Sequence, residues 1–335
     1  MKKRDNYIDL LKGIAIFLVV LGHHDTVLTN YIYSFHMPLF FFISGIFHSN
    51  YDSYKKFIIK KIKVLIIPYF TFATTLFLFW LIIGRKYGES AINNTPIKIA
   101  FNGIFIGSDI KNISSMEWGT PVWFLLCLFV VTNLYYFILK LEIKKIVLVN
   151  IVIGCIGYYL SKHNYSIFRI WHFDTALIAI NFYTFGNLLK ERLFKIKNIL
   201  NGILILLFFL SIIGNKLNGR IDMNGNHYSN IILFYLTAIL GIIFIFGFIK
   251  KIKVANNFIE WIGQNTLIIL AYHGRAMTFI KLILIIILKV NFPEDNLFLN
   301  IIFSIIQILL CIPVIFIFNK YLPFLIGKKK EKIFN

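Results

Sequence analysis

Between Tyr7 and His36 the sequence sets Asp9, Lys12, His23, His24, Asp25 and His36 in or beside a run that is otherwise apolar. A charged side chain at the centre of a membrane helix costs about 2.5–3.5 kcal/mol on insertion scales, so such residues usually face a bundle interior or a functional cavity. Lys12 and His23 are eleven residues apart. In a helix that spacing is three turns plus about 20°, with an axial rise of about 16 Å, so both side chains leave the same face at opposite ends. Asp9, three residues before Lys12, is placed to pair with it. Taken singly, Lys12 reads as a snorkelling anchor and His23 as a helix-end residue among headgroups. Imidazole titrates near neutrality, which suits it to move protons to and from a substrate. The same residue types also mark proton and substrate pathways. His273 and Arg275 repeat the pattern in a later apolar run.

Those residues need a scaffold in which helices are buried in lipid. Of the 335 residues 58% are hydrophobic and 15% charged, with a mean hydropathy of +0.76; soluble domains carry about 25% charged residues. Apolar runs of roughly 15–25 residues, the length that crosses about 30 Å of hydrocarbon as helix, recur along the chain. The reading is an all-α, polytopic transmembrane bundle of about ten spans, near residues 7–24, 31–48, 64–84, 121–139, 146–160, 175–189, 199–214, 230–249, 264–288 and 298–319. Residues 1–335 form a single integral membrane domain, and no internal repeat stands out. With the N-terminus inside, the inner connections hold 24 of the 35 Lys and Arg. That bias predicts two cytoplasmic termini. The connection between residues 85 and 120 is then outer and reads as loop, partly apolar from Ile97 to Ile106.

The net charge of +20 follows from this topology. Clusters such as Lys55, Lys56, Lys60, Lys61 and Lys63 border spans, where they meet anionic headgroups, so membrane lipids rather than nucleic acid are the expected partners. Cys127, Cys155 and Cys311 sit in apolar runs without metal-ligand spacing, and no metal is expected. The first run carries Lys12 and lacks a small-residue cleavage site, so it reads as a retained span rather than a signal peptide. Trp118, Trp123 and Trp171 fall near the outer boundary, where they either anchor in the headgroup zone or line a sugar site. His48, His163, His172 and His227 read as surface histidines.

A basic residue, ten intervening residues and a histidine in the first span resemble the membrane-bound acyltransferase 3 family, and Lys12 and His23 match that pattern. Further segments are similar in order along nearly the whole chain: Phe35 to Gly45, Lys60 to Lys63 leading to Ile67 and Tyr69, Pro121 to Leu125, Phe173 and Asp174, Phe182 to Gly186, and Ile262 to Leu267 followed by His273. Lys12 stands where many members carry Arg. The opening Phe35, His36, Met37, Pro38 looks like the branch that includes sugar O-acetylases.

The resemblance implies transfer of an acyl group, usually acetyl from acetyl-CoA, to a hydroxyl of a cell-surface sugar or lipid-linked glycan in a bacterial plasma membrane. Acetyl-CoA is then a substrate. Its polyanionic head would meet Lys60, Lys61 and Lys63, with Lys12 along its path and Arg275 at its phosphates or at the developing oxyanion. Arg275 reads equally as a structural ion-pair member. The span from Lys12 to His23 is comparable with an extended pantetheine arm. His23 would deprotonate the acceptor hydroxyl or carry the acyl group itself, and the sequence leaves both routes open. His36 clusters with it, and Asp25 or Asp174 would orient an imidazole or serve as ordinary loop acids. Trp123, Asp174 and His273 are the expected acceptor contacts. The rival reading is a secondary transporter or lipid-linked glycan flippase.

Overall fold

A computed structural model describes residues 6–24, 26–86, 92–163, 165–195, 200–251, 257–287, 289 and 296–328. Among them the chain is helical, without strands, and carries only two isolated β-bridges. Among the described residues, seven helical stretches are long and apolar enough to cross a membrane: Tyr54–Lys86, Thr120–Ile138, Ile143–His163, Asn201–Asn218, Ile231–Ile249, Thr266–Ile285 and Leu297–Tyr321. The remaining three expected spans differ from these. Residues 7–24 become α1 (Asn6–Gly22), 17 residues long. Residues 31–48 break into α2 (Thr29–Tyr33) and α3 (His36–Ile46), because Phe35, at φ −141°, leaves the helical region. Eleven residues of α3 rise only about 16 Å, about half the hydrocarbon thickness. Residues 175–189 lie inside a longer helix that is not among the seven.

The fold divides into two compact units. The first contains residues 1–48, 181–273 and 279–309. In it α3 crosses the later part of a long helix (Phe173–Lys195) backbone to backbone. A Cβ on Gly45 would run into the Tyr183 carbonyl, and one on Gly186 into that of Phe42. Asn187 seals the crossing by donating to the Gly45 carbonyl at 3.2 Å. The helices Asn201–Asn218 and Ile231–Ile249 form a hairpin whose connection closes through paired backbone bonds between Asp222 and His227, 2.9 and 2.8 Å. Asn230 caps the second helix, its side chain accepting from Ile232 and Leu233 N–H. The phenol of Tyr7 at the start of α1 donates to the Phe246 carbonyl.

The second unit contains residues 49–180, 274–278 and 310–335. Ser53 caps α4 (Tyr54–Lys61), which runs through a π turn (Ile62–Ile66) into α5 (Ile67–Ile82). Pro68 accounts for the π turn. It lacks an N–H and its ring would strike the carbonyl four residues back, so the Ile67 N–H reaches the Ile62 carbonyl instead. The segment read as loop contains a helix of its own, α6 (Ile97–Ile106). It is stopped by Gly107 at φ +72°, a left-handed cap that glycine adopts without strain. Then come α7 (Trp123–Ile138), α8 (Ile143–His163) and the start of α9 (Phe173–Lys195). Exposed Leu148, Ile151, Val152 and Ile156 on α8 are the surface of a helix solvated by lipid. The helices already placed in the first unit are α10 (Asn201–Asn218) and α11 (Ile231–Ile249), followed by α12 (Asn257–Gln264), α13 (Thr266–Leu282), α14 (Leu297–Leu310) and α15 (Ile312–Tyr321).

Candidate active site

In the first unit the end of α1, the start of α3 and the middle of α13 bring three histidines together. α1 stops at Gly22, yet the His23 N–H still reaches the Val19 and Val20 carbonyls at 3.2 Å, so the imidazole is carried on a turn fixed to the helix end. Its ring centre is 5.0 Å from that of His273 and 6.1 Å from that of Tyr33. The Tyr33 ring in turn lies 4.9 Å from His36. His36 and His273 are buried, at 5% and 1% exposure, whereas His23 is exposed, so the accessible imidazole is backed by two inaccessible ones.

Backbone carbonyls fix how the buried pair can act. His36 Nδ1 is 2.8 Å from the Ile32 carbonyl, and His273 Nδ1 is 3.0 Å from those of Ile269 and Leu270. A carbonyl only accepts, so Nδ1–H donates and Nε2 keeps its lone pair in both neutral rings. The Tyr33 hydroxyl is 3.5 Å from His23 Nδ1, at the outer limit of a hydrogen bond. The α10–α11 connection adds charge: the Arg220 guanidinium lies 5.9 Å over the Tyr33 ring, and Asp222 acts electrostatically on Tyr33 and His36.

His24 faces the other way and is buried. The Gln307 side-chain amide meets its Nε2 at 2.6 Å, Asn300 joins the contact, and the His24 carbonyl accepts from Thr29 Oγ1 at 2.6 Å. The turn that presents His23 is thus held from both sides. Tyr33, Arg220, Asp222 and Gln307 were not read as site residues from sequence. For Gln307 a signal existed, since Asn300, Ser304 and Gln307 recur at helical spacing in a run that is otherwise apolar, and all three are buried on α14.

At the other end of α1, Lys12 Nζ is 3.6 Å from Asp9, the expected partner, and 4.6 Å from the centre of the Phe47 ring. Next along the chain, His48 corrects its reading as a surface histidine. It is buried, with Nδ1 2.8 Å from the Tyr183 hydroxyl. His163 and His227 are exposed, as read.

A family model described as an acyltransferase domain matches residues 5–320, nearly the whole chain. The chain belongs to the acyltransferase 3 family. No curated protein and no solved structure matches it. Family membership and the seven apolar helices together make this a multi-pass membrane acyltransferase.

The other residues expected in the site of this acyltransferase are dispersed through the second unit. Lys60 and Lys61 lie over the rings of Tyr51 and Phe57 at 5.6 and 5.4 Å, and Lys63 is exposed. Arg275 is not brought to them. It donates to the Glu117 carbonyl at 3.0 Å and covers Phe79, near the far end of α5, about 27 Å of helix beyond Lys61. Trp123 is buried with its ring 4.9 Å from that of His172. Asp174 is buried, pairs with Arg169 at 3.4 Å and accepts from the Thr175 N–H at 2.7 Å. Neither side chain is open to solvent. His172, read as a surface residue, is fully buried, and burial together with the Arg169 cation holds its pKa well below the usual 6.5. Asp25 lies outside the described residues.

Proposed function

We propose that this acyltransferase moves an acetyl group from acetyl-CoA to a hydroxyl of a cell-surface sugar or lipid-linked glycan in a bacterial plasma membrane, with both termini cytoplasmic. The observation that carries the reading is an accessible His23 imidazole backed by His36 and His273, whose tautomers are set by backbone carbonyls. A sugar hydroxyl is a weak nucleophile, and an imidazole is the usual group to take its proton. In the direct route His23 accepts the hydroxyl proton as the oxygen attacks the thioester carbonyl carbon. The carbon–sulfur bond then breaks, and the imidazolium returns the proton to the departing thiolate. In the relayed route His23 attacks the thioester carbon first, the carbon–sulfur bond breaks and the thiolate leaves with the imidazole proton, and the hydroxyl then takes the acyl group from the acyl-imidazole as its own proton returns to the freed ring.

Lys60, Lys61 and Lys63 supply cations for the donor phosphates on the cytoplasmic side, and Lys12 lies along the path toward His23. Arg275, engaged with the Glu117 carbonyl, is assigned to the opposite end of the second unit's long helix rather than to the donor head. The test is label transfer from acetyl-CoA to candidate glycans by the purified protein in lipid. His23→Ala is expected to lower turnover by about 10²–10⁴, the usual contribution of a positioned general base. Undiminished transfer by that variant would end the mechanism.

A further inference from the structure

The α10–α11 connection, residues 219–230, brings charge to the histidine cluster of the first unit, and the transfer chemistry above gives it no task. Its own contacts fix it in place. Ile221, Met223 and Tyr228 are buried, the Asp222 and His227 backbones pair, and Asn218 Oδ1 accepts from the Asn230 N–H at 2.8 Å. α10 is in turn tied to α2, because Asn215 Nδ2 donates to the Asn30 carbonyl at 3.0 Å and the Tyr31 hydroxyl meets Ser211 Oγ at 2.8 Å. A side chain projecting from this frame is therefore held relative to Tyr33, the last residue of α2.

Arg220 is that side chain. It is exposed, and its guanidinium carbon lies 5.9 Å from the centre of the Tyr33 ring, which lies 6.1 Å from that of His23. Those two distances leave the guanidinium no more than 12.0 Å from the imidazole centre, within the length of a disaccharide. Among the described residues Arg220 forms no ion pair and no side-chain hydrogen bond. Asp222, two residues on, does not pair with it, because its carboxylate folds over its own turn, where a Cβ on Gly225 would meet Oδ2 at 2.8 Å. The aromatic face engages the cation and leaves the N–H edges of the fork open. A planar fork of five donors matches the oxygens of a carboxylate or phosphate two at a time.

We infer that Arg220 selects the acceptor, pairing with a carboxylate or phosphate on the glycan while His23 works on a neighbouring hydroxyl. The inference rests on the acyl-transfer reading above, in whose topology this connection lies outside, on the acceptor's side.

The test measures labelled acetyl transfer by the full chain in nanodiscs of zwitterionic lipid, with methyl glycosides of a neutral hexose, a hexuronic acid and a phosphorylated hexose as acceptors. The anionic glycosides are expected to be preferred in kcat/KM, and the better of the two identifies the group that Arg220 reads. Arg220→Gln should lower the anionic-to-neutral ratio about tenfold, chiefly through KM, the usual worth of hydrogen bonds to a charged group. Arg220→Lys, a cation without the fork, should restore part of the ratio. Because the guanidinium is exposed, the preference should also shrink as salt is raised. A wild-type protein without the preference would overturn the assignment. So would a ratio unchanged by Arg220→Gln, which would leave a lipid-headgroup contact, or an equal loss on all three acceptors, which would leave a support for the Tyr33 ring. Saturation-transfer NMR with the same glycosides reads binding without chemistry. Arg220-dependent binding to a wild-type protein that acetylates none of the three would end the transfer reading and keep the selection, whereas turnover without an Arg220-dependent preference would do the reverse.

Discussion

An imidazole in a protein is defined by what its two nitrogens meet, and the histidines of this chain span the range. His36 and His273 give Nδ1–H to a carbonyl and keep Nε2 as acceptor, His24 is held by Gln307, and His23 is accessible. His172 is the contrasting case, enclosed beside Trp123 with its pKa held below 6.5 by burial first and by Arg169 second. Its depressed pKa has a calculable sign. As pH falls below about 6.5 the unfolded chain takes up a proton that the folded one refuses, so stability drops by up to about 1.4 kcal/mol per pH unit until the folded pKa is reached. The melting temperature of the protein in detergent should therefore fall on acidification below that pH, and the fall should be shallower in His172→Phe. An identical pH profile in both proteins would refute the assignment. The spacing of Lys12 and His23 was legible because helical geometry alone relates them. Arg220 and Asp222 were not, because they reach the cluster through the α10–α11 connection, and nothing local marks a loop that folds back onto a site. His172 was misread because an outer-loop position was equated with exposure.

At the scale of elements, apolar length identified the long helices, while the breaks were set by individual residues. The expected second span was drawn as one element because hydropathy does not register the turn at Phe35, and that turn makes His36 the first residue of α3. The helix inside the expected outer loop was visible only as an apolar stretch, since its left-handed stop at Gly107 is a backbone property. The crossing of α3 with α9 depends on Gly45, which leaves room for the Tyr183 carbonyl. Gly45→Ala should destabilise the protein by about 1–3 kcal/mol or more, the usual cost of overpacking a rigid contact. It should also lower activity, because α3 carries His36. The yield and melting temperature of monodisperse protein report this, and a variant as stable and active as the parent would show that the crossing can relax.

For the whole molecule, hydropathy established a membrane protein, and the basic bias of the connections proposes which ends lie inside. That proposal is open to a direct measurement. In a chain whose Cys127, Cys155 and Cys311 are replaced by alanine, Lys216→Cys should react with a membrane-impermeant maleimide in intact cells. Lys144→Cys should react only after the membrane is permeabilised, and the reverse pattern would invert the topology. The π turn at Ile62–Ile66 bears on how such a molecule changes over generations. One extra residue in a helix rotates everything beyond it by about 100°, so the stretch bearing Lys60 and Lys61 and the stretch that buries Tyr69, Phe72, Ala73, Leu76 and Trp80 are clocked separately. A single-codon insertion or deletion at this joint turns the stretch bearing Lys60 and Lys61 while the deeper half keeps its seat, giving the lineage a way to re-aim those cations without repacking the rest of the helix.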